Sequence, residues 1–209
     1  MPPMSTTNEI WNRLIERGDV EHSPPTRELE KAEELARRWM PGWRQGRPGD
    51  PERRAAEHPA DLVRLFVEEF PGKVSAGMLV VAWLHDIIED GVKEDRCHVT
   101  KEDLHAEGIR GNVVGDILAL SKGNNETKMA YLARLKDAPT AGPRVRLVKC
   151  VDRICNLREG QILFKDKRWA RYVGETYYFI LPLTEGLDSY EGEWLREKLI
   201  EAASARPVR

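Results

Sequence analysis

The residues best suited to chemistry lie in A-W-L-H-D-I-I-E-D, positions 82–90. There His85 and Asp86 close the apolar run Gly-Met-Leu-Val-Val-Ala-Trp-Leu, and Glu89 and Asp90 follow within a turn. Ionised carboxylates in an apolar setting are costly unless something compensates their charge. On a helix, residues four apart share a face, which sets His85 with Glu89 and Asp86 with Asp90 while Ile87 and Ile88 turn to the core. This double stripe offers a neutral nitrogen together with carboxylate oxygens. That donor set suits Mn, Fe, Co or Zn better than calcium. Read alone, the stretch also fits the solvated end of a helix; the long apolar approach to His85 favours the metal.

A second stretch, R-L-V-K-C-V-D-R-I-C-N-L-R, puts Val148, Val151, Ile154 and Cys155 on an apolar face. Lys149, Asp152, Arg153 and Asn156 recur on another at helical spacing. Asp152 is a candidate ligand, and Asn156 could hydrogen-bond a nucleotide or an attacking water. The alternative is a surface ridge of Lys–Asp–Arg pairs worth a few tenths of a kcal/mol each. Among the five histidines, His58 stands at a helix start directly before Pro59, upstream of His85. His98 and His105 lie in a polar stretch, and His22 precedes Ser-Pro-Pro.

These residues need elements to position them, and the chain reads as helix after helix. Thr7 or Asn8 is placed to cap a first helix carrying Ile10, Trp11, Leu14 and Ile15. RELEKAEELARRWM ends at Pro41, PADLVRLFVEEF ends before Pro71-Gly72, and SAGMLVVAWLHDIIEDG is apolar on most sides, as a central buried helix is. Thr100 with Asp103 resembles a capping box. NVVGDILALS, ETKMAYLARLKD, GPRVRLVKCVDRICNLREG, a long segment near 168–186 and EGEWLREKLIEAA complete the series. Alternation bounded by hairpin turns is missing, so one all-α domain is expected, with a core over about 26–203. PGWRQGRPGDPERR, positions 41–54, is a Pro-, Gly- and Arg-rich insertion between two helices. It reads equally as a binding loop or a connector.

At 209 residues the chain suffices for one well-buried core, and its formal net charge of −2 gives no overall pull toward nucleic acid or anionic membrane. No apolar stretch approaches the ~20 residues of a membrane span, and the start lacks a signal-peptide pattern. Cys97, Cys150 and Cys155 form no CxxC pair. Cys150 and Cys155 read as small core residues, and a cytoplasmic location is expected.

Together, His58, His85-Asp86 and Asp152 follow the H…HD…D order of the HD phosphohydrolase superfamily. The chain resembles in particular the single-domain (p)ppGpp hydrolases of the RelA/SpoT type. EHPADLV, VVAWLHDIIEDG, LARLKDAPTAGPRVRLVKCVDRICNLREG and ARYVGETYYFILPLTEGL carry the likeness over roughly residues 30–200. The resemblance implies a helical bundle of about eight to ten helices. It implies Mn²⁺ (or another divalent transition metal) held by His58, His85, Asp86 and Asp152, with Glu89 and Asp90 as the acid–base pair. Arg44, Lys128, Asn156 and Arg171 are then the substrate contacts, and Lys149 is a weaker candidate.

The implied reaction releases pyrophosphate from the 3′ position of ppGpp or pppGpp and leaves GDP or GTP. Chain length adds the expectation of an enzyme that degrades the alarmone without making it. The family's Arg-Lys-Gly-x-Gly-x-Pro loop is represented by W-R-Q-G-R-P-G-D-P-E-R-R, with Arg44 matching the arginine and Gln45 standing where the lysine would be. Arg47, Arg53 and Arg54 lie in the same loop. That departure keeps two rivals in view: an HD phosphatase for NADPH 2′-phosphate or a nucleoside triphosphate, and a nucleotide-sensing module without turnover.

Overall fold

A computed structural model describes residues 6–18, 27–40, 56–95, 97–137 and 142–205. The loop 41–54, with Arg44, and His22 lie outside the described residues. The chain forms two compact units, one carrying the helices up to residue 121 and the other those from residue 122 onward.

The first unit holds α1 (Thr6–Arg17), α2 (Arg27–Trp39), α3 (Glu57–Glu68), α4 (Ala76–Leu84), α5 (Ile87–Asp90), α6 (Lys101–Ala106) and α7 (Gly111–Leu120). Its centre is α4, where every residue from Gly77 to Leu84 is buried, against α2, α3 and α7. Ser75 starts this helix by accepting a hydrogen bond from the Met78 amide at 3.2 Å.

Helix α1 begins two or three residues earlier than a cap at Thr7 or Asn8 implies, and a first-turn donor finds its partner elsewhere. The Thr7 amide donates to Glu33 Oε2 at 2.8 Å, and the Thr7 hydroxyl donates to the same carboxylate. A carboxylate on a neighbouring helix thus satisfies an orphan donor of the first turn. At the other end of α1, Arg17 donates to the carbonyls of Val67 at 2.5 Å and Phe70 at 3.0 Å, closing the C-terminal turn of α3. The capping box of α6 forms as expected: Asp103 N donates to Thr100 Oγ1 at 3.3 Å and Thr100 N to Asp103 Oδ2 at 2.9 Å.

The single helix expected over residues 75–91 is two. The His85 ring takes the Ala82 carbonyl through Nδ1 at 2.9 Å, an acceptor that a continuous helix gives to the Asp86 amide. Asp86 then rests at φ −98°, ψ 0°, in the sparsely populated bridge region. Gly91 ends α5, where a Cβ would collide with the Ile87 carbonyl oxygen and the Val99 side chain.

The second unit holds α8 (Lys128–Asp137), α9 (Pro143–Leu163), α10 (Asp166–Glu175), a π-helical turn (Thr176–Ile180), a 3-10 turn (Leu181–Gly186) and α11 (Ser189–Ser204). Pro143 sits at the first helical position of α9, where its missing N–H costs nothing. The segment near 168–186 breaks into three because Pro182 cannot donate and the Leu181 amide reaches back five residues to Thr176 O. Gly192 lets α11 approach closely: a Cβ there would lie 2.6 Å from the Thr184 carbonyl oxygen.

The described residues thus form the all-α bundle expected, of about eight to ten helices, with the four-residue α5 set off as a further short element by the break at His85–Asp86. Their one β feature is an isolated antiparallel bridge between Val92 and His98. No helix among them is long and apolar enough to cross a membrane.

Cys150 and Cys155 are buried in α9, whereas Cys97 is exposed. Burial pushes the Cys150 thiol up to about 12, so at pH 8 it stays protonated and unreactive. A thiol-reactive chromophore added to the native protein at pH 8 should therefore count one fast cysteine, with the other two appearing on denaturation. Fast reaction of all three would contradict this packing.

Candidate functional site

In the first unit, two histidines from different helices meet. His58 is the second residue of α3, ahead of Pro59 in the first turn, and is 1% exposed. His85 follows the last residue of α4 and is 2% exposed. Their ring centroids lie 5.4 Å apart at 60°, and a ring nitrogen of each lies within 4.8 Å of the other's. The packing of α3 on α4 holds this pair.

The hydrogen bond of His85 fixes its chemistry. A carbonyl only accepts, so Nδ1 carries the proton toward Ala82 O, and Nε2 is left as the lone-pair nitrogen. Asp86 Oδ2 stands 3.1 Å from that nitrogen. Two lone-pair atoms this close repel each other unless a proton or a cation is shared with them. A backbone carbonyl behind one imidazole nitrogen, with the other presented forward, is the outer-sphere arrangement of metal-ligating histidines. The donors present therefore fit a divalent transition ion.

Glu89 and Asp90 are exposed on α5. Their amides donate back to the Asp86 carbonyl at 3.1 and 2.8 Å, so Asp86, Glu89 and Asp90 belong to one turn. His85 caps the end of α4. The unbroken helix face on which the spacing sets His85 and Glu89 is interrupted between them.

In the second unit, Asp152 is 4% exposed on α9. Lys149 Nζ donates to its Oδ2 at 2.9 Å, and Asn156 Nδ2 donates to its Oδ1. Lys149, Asp152 and Asn156 thus share a face, as the spacing sets them, and both neighbours hold one carboxylate in place. Arg153 does not join that row. Consecutive helical residues point about 100° apart, and its guanidinium instead lies 3.9 Å over the Tyr172 ring on α10.

Lys128 and Arg171 meet a common carboxylate, Glu175, with Lys128 Nζ 2.6 Å from Oε2 and Arg171 Nε 3.9 Å from Oε1. Sequence reasoning did not single out Glu175. The signal for it was the four-residue spacing from Arg171 on a helix. Lys149, the weaker candidate, proves to be a direct partner of Asp152.

No protein-family profile matches the chain, and no curated protein matches it in sequence. Among solved structures it is similar to one described as a metazoan ortholog of SpoT that hydrolyzes ppGpp and plays a role in starvation responses. The TM-score is 0.70 at 18% sequence identity, over 88% of this chain and 99% of that one. The all-α architecture read from the sequence is thus one that an experimentally solved protein also adopts over nearly its full length.

Proposed function

We propose that the protein is a metal-dependent hydrolase of (p)ppGpp, its two units acting as one catalytic domain in the cytoplasm. The observation that carries this reading is the buried His58–His85 pair, with His85 Nε2 turned forward beside Asp86. Support comes from the HDxxED and KxxDRxxNLR motifs and from the fold shared with a protein described as hydrolysing ppGpp.

In this reading His58, His85, Asp86 and Asp152 hold one divalent ion, with Mn²⁺ the ion that the resemblance favours. When bound, such an ion supplies Lewis acidity toward water and a phosphate oxygen. Lys149 and Asn156 fix the Asp152 carboxylate from either side. Glu89 and Asp90 orient the attacking water and accept its proton. Water adds to the phosphorus joined to the 3′ oxygen, the bond between that phosphorus and the 3′ oxygen breaks, and the ribose oxygen takes up a proton. Pyrophosphate and GDP (GTP from pppGpp) are the products. Lys128 and Arg171 neutralise phosphate charge, Asn156 also lies toward the ribose, and Arg44 contacts the nucleotide.

Purified protein given Mn²⁺ and ppGpp should release GDP and pyrophosphate in equal amounts, and a chelator should abolish release. Turnover that survives full chelation would reject the metal assignment. A second reading, cleavage of another nucleotide such as the 2′-phosphate of NADPH or a nucleoside triphosphate, is favoured by Gln45 at the position of the family's lysine. Equal enzyme offered ppGpp, NADPH and deoxynucleoside triphosphates separates the two by rate. Metal-replete protein that binds ppGpp and leaves it intact would point to a sensor.

A further inference from the structure

Glu33 and Arg37, four residues apart on α2, join three other helices of the first unit. Glu33 is 5% exposed, and a carboxylate that deep is costly unless its charge and lone pairs are met. Its Oε2 accepts from the Thr7 amide at 2.8 Å and from the Thr7 hydroxyl, both on α1. Its Oε1 accepts from Arg37 Nε at 3.0 Å, with Arg37 Nη2 also 3.0 Å away. Two nitrogens of one planar group on a fixed acceptor set the orientation of that group.

The rest of the guanidinium is thereby aimed. Its Nη1 pairs with Glu57 Oε1 at 3.6 Å, and its Cζ lies 5.7 Å over the Trp83 ring. Glu57 is the first residue of α3, directly before His58. Trp83 lies two residues before His85 on α4. Trp83 Nε1 finds no acceptor among the described residues, so packing and the cation over its face hold this ring, with no hydrogen bond to help.

One planar group thus spans the start of α3 and the end of α4, the two places where the histidines stand. Its contribution to overall stability is small, because Arg37 and Glu57 are both partly exposed. Its geometric effect is larger. The far end of α3 is already held by Arg17 through the Val67 and Phe70 carbonyls, so Arg37 fixes the end that carries His58.

We propose that Arg37 is a positioning residue for the histidine pair: oriented by Glu33 and Thr7, it fixes how far the His58 ring stands from the His85 ring. That this spacing serves a metal ion rests on the hydrolase reading. The spacing itself does not. Donors already held at their working separation need not be drawn together by the ion, so losing Arg37 weakens ion binding more than it weakens the fold.

The test uses the full chain, dialysed free of metal. It compares Arg37→Met with Arg38→Met, the adjacent arginine of α2 whose ion pairs run instead to Glu34, Glu94 and Glu107. Proton NMR should show a through-space cross-peak between the His58 and His85 rings in the parent and in Arg38→Met, and Arg37→Met should weaken it several-fold. In optical titration with Co²⁺, Arg37→Met should bind roughly tenfold more weakly than the parent, at the low end of what lost support around a ligand costs. Arg38→Met should bind as the parent does. A residue that served only the fold would lower Tm and leave ring contact and ion affinity at the parent's values.

A parent without the cross-peak, or parent-like ring contact in Arg37→Met, would overturn the proposal, as would an equal loss in Arg38→Met. Should Arg37→Met fail to fold, Glu57→Gln removes the partner on α3 and leaves the Arg37–Glu33 pair in place. It should show a smaller loss of the same sign, and no loss would overturn the proposal equally. A parent that binds no Co²⁺ would sink the metal reading, and the cross-peak would still decide the role of Arg37.

Discussion

Replacing Asp152 with alanine is expected to strip the protein of its metal and its turnover together. Asp152 is buried, accepts a hydrogen bond from Lys149 and is held by Asn156. A buried carboxylate fixed from two sides is a preorganised donor, so in the proposed site its loss would remove a ligand. Losing a mere supporting hydrogen bond around a metal ligand costs roughly 10–100-fold in affinity or activity, and losing the ligand should cost more. Metal analysis after dialysis against a trace of Mn²⁺ should find about one ion per chain in the parent and a small fraction of that in Asp152→Ala. A variant that keeps stoichiometric metal would remove Asp152 from the ligand set. Lys149→Met provides a graded companion: it leaves the ligand in place and removes one of its supports.

The second large effect is expected at Glu89. Glu89→Gln preserves size and hydrogen bonding but cannot take a proton. If Glu89 is the base, turnover should fall by roughly 10²–10⁴-fold with metal content unchanged. Glu89 is exposed on a short turn whose amides bond back to Asp86, so its loss should leave the fold intact. Melting temperature and metal stoichiometry measured beside kcat separate the outcomes. Near-normal kcat would pass the role of base to Asp90, where the same substitution should then show the loss.

What could be read in the sequence was what depends on local period and residue type. The apolar run before His85 gave the buried α4, Thr100 with Asp103 gave the cap of α6, and the Lys149–Asp152–Asn156 spacing gave a shared face on α9. What escaped depends on how side chains meet once packed. The imidazole of His85 competes for the Ala82 carbonyl, and the one expected helix is two, ending at Leu84 and resuming at Ile87. Thr7, with Asn8 a candidate cap of α1, lies inside the helix and donates to Glu33, a carboxylate on another helix that no local pattern connects to it. Arg153 fell in the expected polar row because a spacing argument tolerates neighbours. The structure turns it toward Tyr172 and Glu175, and the sequence hints at Glu175 only through its four-residue spacing from Arg171, since Lys128 and Arg153 reach it from other helices.

The most direct test of the proposed chemistry is phosphorus NMR of ppGpp incubated with the Mn²⁺-loaded protein in water enriched in heavy oxygen. Attack at the phosphorus next to the ribose should place the heavy isotope in the released pyrophosphate and none in the GDP. Label appearing in GDP, or ppGpp persisting unchanged with metal bound, would contradict it.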